Sequence, residues 1–169
     1  DNRKMSKSLG NFFTVREISE KYDLQVLRFF MLNAHYRSPL NFSAELMESS
    51  KNALERIRNA AANLKYTEEH AQAETMSEAE QQLAAGISEY RKKFEEAMDD
   101  DFNTADALAA IFELVKFANS NVNENSSRAF AKLLRDEILQ LMDVMGLIAE
   151  PKEELLDADI EKLIEERQA

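Results

Sequence analysis

Apolar residues recur at intervals of three and four along most of the chain, which is the spacing of one face of an α-helix. The C-terminal half contains three such stripes: Leu83, Ile87, Tyr90, Phe94 and Met98; Leu108, Ile111, Val115 and Ala118; and Phe130, Leu134, Ile138, Leu141 and Met145. Asp100, Asp101 or Asn103 can cap the second helix, and Gly146 is placed to end the third in a left-handed conformation. The pattern predicts three packed helices.

The N-terminal half shows the same periodicity with one interruption. Thr14 and Glu17 have the spacing of a capping box, and Asp23 can cap the next helix. Pro39 breaks the pattern, so residues 39–42 (PLNF) are expected to run extended before Ser43 starts a third helix. The apolar faces are expected to contain Leu24, Leu27, Phe30 and Met31 in the second helix, and Leu46, Leu54, Ile57, Ala61 and Leu64 in the third.

Residues 67–76 (TEEHAQAETM) are polar and lack a continuous apolar stripe, which indicates a connection between two units. Ser77 and Glu80 then form a second capping box. We therefore divide the chain into residues 1–66 and residues 77–169. A further amphipathic helix is expected from Asp157 or Asp159, and its pattern still runs at the last residue. We expect the second unit to be truncated there, and the chain to be cut from a longer protein.

The amino-acid composition limits both the fold and the kinds of site that this chain can contain. The 169 residues include only three glycines and two prolines, which favours a mainly α fold over an all-β fold. A net charge of −11 and no long apolar run predict a soluble, cytoplasmic protein with no membrane partner. The chain has no cysteine and two isolated histidines, so we expect no metal site in it. We also expect a monomer.

The candidate chemistry lies at the N-terminus, in Lys4, Met5, Ser6, Lys7 and Ser8. A solvated basic loop ahead of a helix is one interpretation of so short a polar run. The five letters are, however, identical to the KMSKS signature of class I aminoacyl-tRNA synthetases, and the following LGNFFTVREI also resembles that family. The resemblance implies a loop that closes over ATP during amino-acid activation.

The resemblance also implies a role for each of these residues. Lys7 is expected to bind ATP and to stabilise the negative charge that builds on departing pyrophosphate in the transition state. Lys4 is expected to assist the pyrophosphate or to hold the loop. Ser6 and Ser8 offer hydrogen bonds. Met5 is expected to be an apolar anchor.

The longer run from Lys4 through HYRSPLNFS resembles cysteinyl-tRNA synthetase, and DDDFNTADALAAIF resembles the helical domain of that family. The resemblance implies that residues 1–66 are a β-α-α-β-α stem-contact fold, with PLNF as the returning strand. It implies that residues 77–169 are an antiparallel helical bundle of the DALR anticodon-binding type, in which DALA at Asp106 to Ala109 lacks the arginine of the naming motif.

The function implied by this resemblance is activation of cysteine with ATP and Mg²⁺, followed by transfer to tRNA(Cys). The family also has a nucleotide-binding domain that receives cysteine, and a zinc site, and neither occurs in these residues. We therefore expect the 169 residues to be inactive alone. Two alternatives are the equivalent segment of a methionyl or arginyl synthetase, and an acidic helical protein-interaction module in which KMSKS is incidental.

The acidic charge argues against RNA binding, because proteins that bind nucleic acids usually neutralise phosphates with clustered lysine and arginine. Two local clusters can serve as phosphate contacts or as solvated helix faces: Arg56, Arg58 and Lys65, and Arg91, Lys92 and Lys93. Arg37, in the bend before Pro39, can either reach the stem of tRNA or hold the turn in place.

Overall fold

The structure is a computed structural model, which describes Ser6, Ser8 and residues 13–148. The described residues form seven α-helices and no strand. The helices are α1 (Val15–Ser19), α2 (Leu24–Leu32), α3 (Ala44–His70), α4 (Glu78–Ala85), α5 (Ser88–Asp99), α6 (Thr104–Asn121) and α7 (Arg128–Val144). The prediction of a mainly α fold is confirmed.

Side-chain caps begin the helices where the sequence indicated them. Thr14 and Ser77 each form a complete capping box with a glutamate three residues later. Asp23 and Ser43 accept hydrogen bonds from backbone N–H groups in the first turns of α2 and α3. Among the three candidates for α6, Asn103 is the cap. These caps are local interactions, which is why short sequence patterns predict them.

The ends of several elements differ from the predictions. Helix α3 continues to His70, past the predicted start of the polar connection at Thr67. The helix predicted from Ser77 is divided into α4 and α5 by a tight turn at Gly86 and Ile87, where backbone hydrogen bonds span three residues instead of four. Residues 39–42 form no strand, because no described residue supplies a paired backbone.

The buried faces also differ in part from the sequence prediction. Leu24 and Met31 of α2 are more than half exposed, and Val26 and Phe29 are buried in their place. Leu46 of α3 is 43% exposed. The other residues expected on the apolar face of α3 are buried, as are the stripes of α6 and α7. Ile87 and Phe94 are the buried members of the stripe that crosses α4 and α5.

One hydrophobic core connects the helices of both predicted units. Helix α3 packs against α2 on one side and α7 on the other, while α5 and α6 form a hairpin that packs on the same core. Helix α7 ends at a Schellman motif: Gly146 has φ +63°, its N–H donates to the Asp143 carbonyl, and the Leu147 N–H donates to the Met142 carbonyl. The predicted role of Gly146 is confirmed. The helix predicted from Asp157 or Asp159 lies outside the described residues.

Candidate functional site

The structure describes the two serines of the KMSKS pentapeptide. Their hydroxyl oxygens lie 3.2 Å apart, within hydrogen-bonding distance, and Ser6 is half-buried while Ser8 is exposed. Lys4, Met5 and Lys7 lie outside the described residues. The predicted roles of all five residues therefore stay predictions.

Phe13 and Thr14, where the described chain resumes, are held by an aromatic contact and a helix cap. The ring of Phe13 lies 5.9 Å from that of Phe42, and Phe42 meets Phe30 of α2 edge to face at 5.7 Å. One carboxylate oxygen of Glu17 accepts from the Thr14 N–H at 2.7 Å and from the Thr14 hydroxyl at 2.9 Å. The backbone hydrogen bond, together with the hydroxyl, lowers the pKa of Glu17.

The turn after α2 is held by a single carboxylate from the α5–α6 loop. Asp101 accepts a hydrogen bond from the Tyr36 hydroxyl at 2.9 Å and forms an ion pair with Arg37, whose Nε lies 3.0 Å from Oδ2. Nε2 of His35 lies 3.9 Å from the same oxygen. Of the two alternatives for Arg37, the contacts in this structure support the one in which it holds the turn. The sequence indicated Asp101 only as a possible helix cap.

The basic residues of α5 pair with acidic or polar side chains of α5, α6 and α7. Arg91 donates to Glu137 at 2.6 Å and to Gln140 at 2.7 Å, and the hydrogen bond to Glu137 raises the pKa of Arg91. Lys92 pairs with Glu96, and Lys93 pairs with Glu113. These pairs support the interpretation of this cluster as a solvated helix face.

Two arginines of α3 also make contacts within the protein. Arg58 forms an ion pair with Asp23 at 3.1 Å and donates to the Ile148 carbonyl. The Arg56 guanidinium lies 5.2 Å from the centre of the Phe112 ring. These two arginines therefore contribute to packing between α3 and its neighbours.

Metal binding and membrane insertion each need a recognisable feature: a group of ligand side chains for a metal ion, and a long apolar helix for a membrane. Within Ser6, Ser8 and residues 13–148, no three histidine, cysteine, aspartate or glutamate side chains are grouped so as to hold a metal ion. Among the helices of this described part, none combines the length and apolar character needed to cross a membrane.

Comparisons with known proteins find a matching domain family in each half of the chain. Residues 1–52 match the catalytic domain of class I (C) tRNA synthetases, and residues 93–150 match the DALR domain. Over 99% of the chain, the sequence is 59% identical to a cysteine–tRNA ligase of Lachnospira eligens and 50% identical to one of Clostridioides difficile. Along nearly its whole length, the chain is similar to cysteine–tRNA ligases. It spans 36% of the length of each of these two ligases.

The candidate residues lie within the two matched regions of the sequence. The KMSKS pentapeptide falls in the region that matches the catalytic domain, whereas Asp101 and the DALA sequence fall in the DALR domain. The resemblance to cysteinyl-tRNA synthetase is confirmed over the methionyl and arginyl alternatives and over an unrelated interaction module.

Proposed function

We propose that this chain supplies the ATP-binding loop and the tRNA-facing helices of a cysteine–tRNA ligase. The observation that carries the proposal is the 59% identity to such a ligase over 99% of the chain, together with an intact KMSKS pentapeptide. In the whole protein, the carboxylate of cysteine attacks the α-phosphorus of ATP, the bond to pyrophosphate breaks, and cysteinyl adenylate forms. The cysteinyl group then passes to tRNA(Cys).

The proposed task of the pentapeptide is electrostatic. Negative charge increases on the pyrophosphate oxygens as their bond to the α-phosphorus breaks, and a lysine ammonium is a compact charge that stabilises it. We assign this task to Lys7, with Lys4 assisting, Ser6 and Ser8 as hydrogen-bond donors, and Met5 as an anchor. Mg²⁺ is expected to accompany ATP.

Zinc is not assigned to this part of the ligase. The sequence contains no cysteine, and the residues described by the structure include no group suited to a metal. The 169 residues are expected to be inactive alone, because they correspond to about a third of the length of the matched ligases. The division at residues 67–76, a cytoplasmic location and a monomeric state stay predictions from the sequence.

The test joins this chain in frame to the catalytic half of a cysteine–tRNA ligase and measures cysteine-dependent ATP–pyrophosphate exchange. We expect Lys7→Ala to reduce kcat by about a hundredfold or more, the size of effect seen when one preorganised group that stabilises a transition state is removed. Lys116→Ala is the matched control, since Lys116 is an exposed lysine of α6 that forms no ion pair with any described residue.

Three results would contradict the proposal. Equal exchange by the Lys7→Ala and parent chimeras would remove the catalytic role of Lys7. A folded chimera in which Lys116→Ala lowers exchange as much as Lys7→Ala would show a general effect of lost positive charge and no specific role for the pentapeptide. Exchange by the 169 residues alone would contradict the expected need for the rest of the ligase.

A further inference from the structure

We propose that Asp101 is a positioning residue, which fixes the turn at residues 35–37, and through it Phe13, against the DALR bundle. This inference rests on the proposed function. Asp101 lies in the α5–α6 loop, inside the region that matches the DALR domain, whereas the residues it holds lie inside the region that matches the catalytic domain. One carboxylate therefore joins the two functional parts of the chain.

The contacts of Asp101 organise three consecutive side chains. Its Oδ1 accepts hydrogen bonds from the Tyr36 hydroxyl at 2.9 Å and from Nη2 of Arg37 at 3.1 Å, while Nε of Arg37 lies 3.0 Å from Oδ2. Arg37 Nε also donates to the Tyr36 hydroxyl, and His35 stacks on the Tyr36 ring at 4.9 Å. Because the ion pair is exposed, we expect it to affect the geometry of the turn more than global stability.

A second hydrogen bond supports the same junction. The Thr104 hydroxyl, at the start of α6, donates to the Leu32 carbonyl at 2.7 Å. Leu32 is the last residue of α2, where helix carbonyl groups have no partner within the helix. The first residue of α6 therefore contacts the end of α2, while the α5–α6 loop contacts the turn that follows it.

Aromatic contacts continue from this turn to Phe13. Five residues after Arg37, the ring of Phe42 packs against both Phe30 and Phe13. Phe13 lies five residues after Ser8, the last residue of the pentapeptide. A series of contacts and short chain segments thus runs from Asp101 to Phe13.

The backbone of the α5–α6 loop also indicates a constrained position. Asp101 and Phe102 both have left-handed φ angles, of +55° and +54°. A left-handed conformation is unfavourable for a non-glycine residue, and aspartate tolerates it better than phenylalanine does. The Phe102 side chain is 66% exposed, so its own burial offsets little of this cost. The contacts of Asp101 and Thr104 are among those that maintain the loop in this conformation.

The test replaces Asp101 by Asn in the same chimera. Asn keeps the size, the tolerance of a left-handed backbone and an acceptor for Tyr36, but it removes the charge that pairs with Arg37. We expect kcat for cysteine-dependent exchange to fall by about threefold to tenfold, the range of energetic coupling through such contacts, while the KM for cysteine is unchanged. Arg37→Gln should give the same decrease, and the double variant should be no less active than either single variant.

Asp100→Asn is the matched control, because it removes the same charge one residue earlier. Asp100 is exposed and forms no ion pair within residues 13–148. Its replacement should leave kcat unchanged. A decrease in kcat equal to that of Asp101→Asn would show a general charge effect and would overturn the proposal.

Hydrogen exchange on the 169-residue chain provides a measurement that does not depend on ligase activity. In the Asp101→Asn variant we expect faster hydrogen exchange of the backbone amides in residues 13–16 and 33–42, while the exchange rates in α7 are unchanged. Unchanged exchange at 13–16, or faster exchange in every helix, would overturn the positioning role. An inactive parent chimera would count against the proposed function. The hydrogen-exchange pattern of the 169-residue chain would still decide whether Asp101 holds residues 13–16 and 33–42.

Discussion

Gly146 ends α7 in a conformation that only glycine adopts without strain. Its φ is +63°, and a Cβ atom at this position would lie 2.8 Å from Nη1 of Arg28. An alanine would therefore need both a strained backbone and a displaced guanidinium. Since Leu147 is buried directly after it, the chain cannot easily relax by moving away.

We predict that Gly146→Ala lowers the free energy of unfolding by about 1–2 kcal/mol, because the native φ is unfavourable for any residue with a Cβ atom. Urea unfolding followed by far-ultraviolet circular dichroism measures the change. Gly86→Ala is the control: the Gly86 backbone is right-handed, and the nearest atom to an added Cβ is the Leu83 carbonyl oxygen at 3.5 Å. Equal destabilisation by both substitutions would contradict the prediction.

At the scale of elements, Glu80 joins the N-termini of two helices. One carboxylate oxygen accepts from the N–H and hydroxyl of Ser77, which caps α4. The other accepts from the N–H of Ser127, the cap of α7, at 2.8 Å. Desolvation raises the pKa of Glu80, but the hydrogen bonds from Ser127 and Ser77 outweigh it and the pKa is lowered.

A lowered pKa in the folded state gives a defined dependence of stability on pH. The contribution of Glu80 is complete above its unfolded pKa, near 4.5, and is lost as pH falls through the lower folded pKa. We predict that Glu80→Gln is less stable than the parent at neutral pH and that its free energy of unfolding falls less on acidification. Denaturant unfolding across the acidic range measures both effects.

Glu78→Gln is the control for this prediction. Glu78 lies in the same first turn of α4 and is exposed, but it takes no part in the capping box. The control should retain the acid dependence of the parent. An identical pH profile for the parent and for Glu80→Gln would show that the two-helix cap contributes nothing to that dependence.

At the scale of the whole molecule, charge divides unevenly along the chain. Residues 1–65 contain eleven basic and seven acidic residues, a net charge of +4, whereas residues 66–169 contain ten basic and 25 acidic residues, a net charge of −15. The cations of α5 pair with carboxylates, as do Arg128, Lys132 and Arg135 of α7. Contacts with the phosphates of the proposed tRNA partner therefore suit the N-terminal part better than the acidic bundle.

Exposed lysines on this N-terminal part provide a test of RNA binding. Lys21 and Lys51 are exposed, and neither forms an ion pair with any described residue. We predict that replacing both by Ala weakens tRNA(Cys) binding and lowers the slope of log affinity against log salt by about 1–2, because each lysine that neutralises a phosphate adds about one to that slope. Fluorescence anisotropy at several salt concentrations measures both.

The control for RNA binding replaces Lys92 and Lys132 in the bundle by Ala. Both are exposed, and both pair with a carboxylate one helical turn away, so their replacement should change neither the affinity nor the salt slope by much. A greater weakening of binding in this control than in the Lys21 and Lys51 variant would place the RNA contacts on the bundle.

Local sequence was sufficient for the features that depend on residues a few positions apart. The capping boxes at Thr14 and Ser77, the caps at Asp23 and Ser43 and the end of α7 at Gly146 were all predicted, because each hydrogen bond spans at most five residues. The stripes of α6 and α7 were predicted because their helices are long and regularly spaced. The intact pentapeptide identified the family for the same reason, since its signature is contiguous.

Tertiary structure decided what depends on distant residues. Periodicity did not predict that α2 buries Val26 and Phe29 while Leu24 and Met31 are exposed, because the surrounding helices select which side is covered. The partner of Arg37 was equally inaccessible to sequence patterns, since Asp101 lies 64 residues away. Short-range hydrogen bonds determined where the helices begin, whereas long-range packing determined which faces and charges meet.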